Sequence, residues 1–277
     1  MKYITSKGSI YLITTLIVTA LSVLFTHKLQ LDRSFYRYTV TLPGILALLF
    51  LFFPKLAMAQ QNEWSGLTIN LNQIETRKDS FLIKQNGKEV GYWIWEINKV
   101  GDSLTIKDVS VLTDVVQEKF TLHFNLKKML AEQVDMTMQH QSNSLNVDIS
   151  RQSPRNLKAH YVRKGNNPLN HTIDTTYTKN VVLRPVVFGL LPAIISPKNT
   201  NRTIETFFLS SGSSAMMQLE YVEESEIEVP AGKFNTYKYR FSGEKQLSNM
   251  IYTSQTKPYR IIKVEVIGQP LTIELVK

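Results

Sequence analysis

The chain has 277 residues and a formal net charge of +9, of which about +5 falls before residue 60. The remainder is spread without a run of five Lys or Arg, so no basic stripe is present for a polyanion, which argues against nucleic acid as a partner. With no cysteine at all, disulfides, thiolate metal sites, cysteine nucleophiles and a lipid-modified N-terminal cysteine are excluded.

Ile10 to Phe25 (IYLITTLIVTALSVLF) is an apolar run of about 16 residues, with Lys7 before it and His27 and Lys28 after it. It is somewhat short of the ~20 residues that span a bilayer as a helix. A second run, Val40 to Phe53, is interrupted by Pro43-Gly44, closed by Pro54 and followed by Leu56-Ala57-Met58-Ala59-Gln60. A basic stretch, a short apolar core, a helix breaker and a small-x-small site form the layout of a secretory signal peptide, with Ala57, Ala59 and Gln60 as the cleavage site. Residues 1–59 are therefore expected to be an apolar export region, with a candidate transmembrane helix at 10–25 and a signal-peptide-like segment at 40–59. Residues 60–277 are expected to be one exported domain in the periplasm or cell envelope. If both runs stay uncleaved, they form a two-helix membrane hairpin and tether the protein through residues 10–53.

After Gln60 the pattern changes to short alternating segments punctuated by turn residues, the signature of strands with one buried and one wet face. Phe81 and Ile83 alternate with Leu82 and Lys84, and Asn86-Gly87, a strong hairpin signal, precedes Val90 to Trp95. Gly101-Asp102 turns the chain into Leu104 to Val109, and Glu118 to Phe124 alternates again. Met129 to Met138 fits both helical and strand spacing, and its flanking strands decide for strand. Leu145 to Ile149, Leu157 to Val162 and His171 to Thr175 continue the meander.

Val181 to Ser196 (VVLRPVVFGLLPAIIS) is apolar nearly throughout but broken by Pro185, Gly189 and Pro192, so it is neither a regular strand nor a spanning helix. It is expected to be a short kinked helix or plug that packs over the concave face of a curved sheet as a lid. Strands follow at Thr206 to Leu209 and Met216 to Tyr221. Glu226 to Phe241 forms a hairpin joined by Pro230-Ala231-Gly232, and Tyr252 to Ser254, Arg260 to Val266 and Leu271 to Val276 complete the series. The fold class is all-β: a single strongly curved antiparallel sheet or half-open barrel with a short helical lid, preceded by N-terminal apolar helices.

Several segments, Asp79 to Ile83, Gly87 to Gly91, Leu183 to Pro192, Lys257 to Ile261 and above all Val229-Pro230-Ala231-Gly232-Lys233-Phe234, resemble an uncharacterised family of bacterial periplasmic β proteins. The architecture of that family is similar to lipoprotein carriers of the LolA and LolB type. The resemblance implies a strongly curved antiparallel sheet half closed around an apolar cavity, and a periplasmic compartment. It assigns no activity, and its motif residues have a structural role as a turn with a core anchor.

No catalytic or metal motif stands out. His27, His123, His140, His160 and His171 lack metal-ligand spacing, and Gly212-Ser213-Ser214 lacks the flanking glycine of a nucleophile elbow. Glu220, Glu223, Glu224, Glu226 and Glu228 read as a solvated strand face. Trp93 and Trp95 share one strand face, with Tyr92 and Ile94 on the other. Trp93, Trp95, Phe188, Leu190 and Leu191 are the candidate ligand-binding residues. The expectation is a non-enzymatic binding or carrier module without a cofactor, sheltering a lipid or lipidated partner under the lid. A glycan-binding or envelope-scaffolding module is the alternative, and a hydrolase comes behind both.

Overall fold

The computed structural model describes residues 61–277; the expectations for the apolar N-terminal runs, and for cleavage at Ala57, Ala59 and Gln60, lie outside the described residues. A short hairpin, β1 (Gln61–Trp64) and β2 (Leu67–Asn70), comes first. Eight strands then follow as an uninterrupted antiparallel meander: β3 (Arg77–Gln85), β4 (Lys88–Val100), β5 (Ser103–Leu112), β6 (Val116–Asn125), β7 (Leu130–His140), β8 (Asn143–Ser150), β9 (Asn156–Lys164) and β10 (Leu169–Thr176). The ambiguous segment before Met138 is strand, as its neighbours require. Along β3 to β9 the buried positions alternate with wetter ones, Phe81 and Ile83 on β3 and Leu104 and Ile106 on β5 among them, because successive side chains point to opposite faces.

The second half comprises β11 (Val181–Leu183), a helix α1 (Arg184–Leu190), β12 (Asn201–Phe208), β13 (Ser213–Val229), β14 (Gly232–Ser242), β15 (Asn249–Ser254), β16 (Ile261–Val266) and β17 (Leu271–Leu275). The last strand pairs with β3. That joint merges both halves into a 15-stranded sheet whose edges are β10 and β11, strands adjacent in the chain. The expectation of a purely antiparallel sheet is corrected at one pair: β11 runs parallel to β12. Parallel neighbours need a crossover, and α1 supplies it by carrying the chain through the interior before β12 begins.

The sheet is not closed by a backbone ladder, yet its edges are tied together. Tyr161 on β9 donates its hydroxyl to Leu209 O at 3.0 Å. At the other end of the seam, Arg151 donates to Pro154 O at 2.6 Å and to Val181 O at 2.8 Å, and Val181 N–H donates to Pro154 O. Because strands alternate in direction, the turns sort into two rims. The turns at residues 86–87, 113–115, 209–212, 243–248 and 267–270 form one rim, called here the mouth, and those at residues 101–102, 126–129, 151–155 and 230–231 form the other.

The Val181 to Ser196 segment is a plug within the barrel. Pro185 sits in the first turn of α1, where its missing N–H costs nothing, and a short 3-10 turn at Leu191–Ala193 follows. So short a helix does not persist alone; burial of Val186, Val187, Leu190 and Leu191 holds it, each side chain contributing roughly 1.5–3 kcal/mol. Gly189 seats it, since a Cβ there would lie 2.6 Å from Ile106 Cδ1. Below the plug, the β1–β2 hairpin covers the far rim with Trp64, Leu67 and Ile69, and Ile69 bridges to Ile194.

Close backbone approach near the mouth yields a first prediction. A Cβ on Gly91 would lie 1.9 Å from Val111 O and 2.9 Å from Val111 C, atoms of the neighbouring ladder that cannot rotate away. Gly91→Ala is expected to cost about 2–3 kcal/mol through displacement of β4 from β5, read as a lower urea midpoint at unchanged slope.

Candidate functional site

Between the plug and the mouth the barrel is not filled. A cavity of about 240 Å³ remains there, walled by Ile83, Trp93, Trp95, Phe120, Val264 and Ile273 from the sheet and by Pro185 and Phe188 from the plug. Its size falls just below the roughly 300–1,000 Å³ usual for pockets that take drug-sized ligands. A shallower hollow of about 270 Å³, lined mainly by polar residues of the same rim, shares Ser210 with it. Aromatic rings from β3, β4 and β6 make contact along one side of the first cavity. Phe81 stacks on Trp93 at 4.6 Å between ring centroids, Trp93 lies 5.2 Å from Trp95, and Trp95 meets Phe120 edge-on at 6.0 Å.

Polar groups interrupt this wall in two cross-strand rows. Asp108 on β5 lies opposite Trp95 and Phe120, and Ser110 lies opposite Trp93 and Glu118. Trp93 Nε1–H and the Ser110 hydroxyl both donate to the Asp108 carboxylate, the latter at 2.9 Å. Asp108 is 4% exposed and, among the described residues, has no cation within ion-pairing distance. Burial, reinforced by the field of Glu118, pushes its carboxyl up to about 7, against which the Trp93 and Ser110 hydrogen bonds work. Burial raises Glu118 as well, with Arg184 opposing.

Arg184, at the start of α1, brings the site's cation. It donates from Nη2 to Asn249 Oδ1 at 2.7 Å, and its guanidinium lies 5.2 Å from the Phe188 ring centroid and 6.0 Å from that of Phe208. Burial lowers its pKa and the nearby Glu118 raises it, but the two do not approach within 4 Å as an ion pair. Trp95 Nε1 and Arg184 Nε are buried without a partner, sealed beneath the surface of the cavity.

Of the residues singled out by sequence, Trp93, Trp95 and Phe188 stand on the cavity wall. Leu190 and Leu191 are 0% and 1% exposed, packed in the solid part of the plug away from it. Sequence reading passed over Asp108, Ser110, Glu118, Arg184 and Asn249. For Asp108 and Glu118 the signal was present: each falls in phase with inward apolar residues, Leu104 and Ile106 on β5, Phe120 and Leu122 on β6, where a carboxylate must be accommodated.

The remaining candidates are dispersed. Glu220 pairs with Arg240, Glu223 with Lys238 and Glu224 with Lys198, a solvated ladder on the sheet. His123 contacts Thr105, and His160 contacts Asn170. The Val229 to Phe234 hairpin turns at Pro230-Ala231, with Phe234 half-buried against the core. No helix among the described residues is long and apolar enough to cross a membrane.

Fold and site together define a class: an unclosed, internally plugged, mostly antiparallel β-barrel with an aromatic pocket at its mouth. No protein-family model matches the sequence, and no curated protein matches it significantly. Among solved structures, the chain is similar to the crystal structure of a beta-barrel-like protein of domain of unknown function DUF1849 from Brucella abortus. The identity is 8% and the TM-score 0.46, over 72% of this chain and 94% of that one.

Proposed function

We propose that this is a non-enzymatic binding module of the cell envelope, exported through its N-terminal region, which holds a small amphiphilic ligand in the mouth of the barrel. The observation that carries the reading is the cavity of about 240 Å³ with an aromatic wall interrupted by a few polar groups, the composition of a site that takes an apolar body and orients a polar group. With Val187 and Leu190 at 0% exposure, opening the plug as a lid would bring core side chains into water, so on this reading the sheltered group is a small molecule or the end of a larger one. A glycan-binding platform on the convex face finds less support, since Tyr92 is the one exposed Phe, Tyr or Trp side chain among the described residues.

Native mass spectrometry of the protein purified from the producing cell, followed by organic extraction, tests the proposal. A stoichiometric amphiphile is expected. Ile273→Trp, which pushes an indole into the cavity from β17, is expected to abolish its retention while the fold and far-ultraviolet spectrum persist. A clean mass for the wild type, or retention unaffected by Ile273→Trp, overturns the pocket reading and favours a scaffolding role.

A further inference from the structure

The charged groups on the cavity wall are Asp108 from β5, Glu118 from β6 and Arg184 from α1; β3, β4, β12, β15, β16 and β17 contribute none. The arrangement is unbalanced. Arg184 donates from Nη2 to Asn249, faces the rings of Phe188 and Phe208 and lies in the field of Glu118, with its Nε unpaired. Asp108 is the carboxylate left over: it accepts from Trp93 and Ser110 but, among the described residues, faces no cation of its own. With all three groups ionised, the site lacks one positive charge. The carboxylate is flanked across the sheet by Trp95 and Phe120, whose ring faces attract cations.

Resting on the pocket reading above, we propose that the ligand carries an ammonium group, held by Asp108 with Glu118 behind it, while its apolar body lies along Trp93, Trp95 and Phe120. The ammonium supplies the missing charge and donates to carboxylate oxygens that have lone pairs to spare. An anion reaching Arg184 would instead enter the field of two carboxylates, so the same geometry disfavours fatty acids and phosphates. Proton and ammonium then compete for Asp108. Because its carboxyl is protonated below about 7, amine affinity is expected to fall by up to about tenfold per pH unit below that point.

The test compares three probes of one shape, 2-phenylethylammonium, 2-phenylethanol and 3-phenylpropionate, by calorimetry and tryptophan fluorescence on the whole protein. At pH 8 the amine is expected to bind roughly tenfold or more tightly than the alcohol, the difference between charge-assisted and neutral hydrogen bonds, and the carboxylate weakest. Asp108→Asn is expected to erase the preference for amine over alcohol, and with it the pH dependence of amine binding. Alcohol or carboxylate binding as tightly as the amine overturns the ammonium assignment and leaves the pocket intact. If none of the three binds and no molecule co-purifies, the pocket reading falls together with it.

Discussion

Replacing Arg151 with methionine is expected to destabilise the domain by about 3–5 kcal/mol, the largest loss foreseen for a single side chain outside the apolar core. Arg151 is 6% exposed and donates to Asn156 O at 3.1 Å, Pro154 O at 2.6 Å and Val181 O at 2.8 Å. Among the described residues it has no carboxylate partner, so carbonyl dipoles do most to offset its charge, and burial brings its pKa down to about 10. Methionine keeps much of the stem volume but leaves those carbonyls without a donor, at roughly 1–3 kcal/mol for each one that stays dry. The seam makes this position special, because β10 and β11 share no ladder and nothing equivalent replaces the contact to Val181. Urea denaturation measures the loss, and hydrogen exchange at Val181 and Val182 is expected to accelerate before the rest of the sheet. Retention of wild-type stability in Arg151→Met would mean that plug packing, the Tyr161 hydroxyl and the Val181 N–H bond hold the edges without it.

Asp108→Asn is expected to act in the opposite direction, and only at higher pH. The carboxyl sits at about 7 in the folded protein against 3.8 for an ordinary aspartate. Below about pH 4 it is protonated in both states and contributes no pH dependence. As the pH rises from about 4 to 7, the unfolded chain releases a proton that the folded chain keeps, so wild-type stability falls across that window and is level above it. Asparagine has no charge to desolvate, and its amide can still accept from Trp93 and donate to Ser110. The variant is therefore expected to match wild type near pH 4 and to exceed it above pH 7 by up to about 4 kcal/mol, at ~1.36 kcal/mol per pKa unit. Denaturant midpoints at pH 4, 6 and 8 would show the gap opening. A variant less stable than wild type at pH 8 would mean that the ionised carboxylate is already compensated, as by a resident cation.

The two residues behind these predictions differ in how visible they are in the chain. Asp108 stands in register with Leu104 and Ile106, so its inward direction follows from strand alternation alone. Arg151 follows β8, in the loop before β9, and nothing local says that its guanidinium reaches Val181, 30 residues on. Arg184 is similar: its place beside Pro185 marks a helix start, but its nearness to Glu118 depends on where the plug is threaded.

What the chain determined by itself is local and periodic. Alternation set which faces of β3 to β9 are buried, Asn86-Gly87 and Pro230-Ala231 set turns, and Pro185 with Pro192 kept Val181 to Ser196 from becoming a long strand. Trp93 and Trp95 were legible as one inward pair for the same reason. The tertiary structure decided everything that needs contacts distant in sequence. The β3–β17 joint curves two halves into one barrel, and the crossover through the interior makes β11 parallel to β12. The depth of the plug buries Leu190 and Leu191 as core while leaving Phe188 on the cavity wall. Short-range periodicity reports the direction of a side chain but not what stands opposite it; for Asp108, Glu118 and Arg184 the opposite group creates the chemistry, and only folding brings it there.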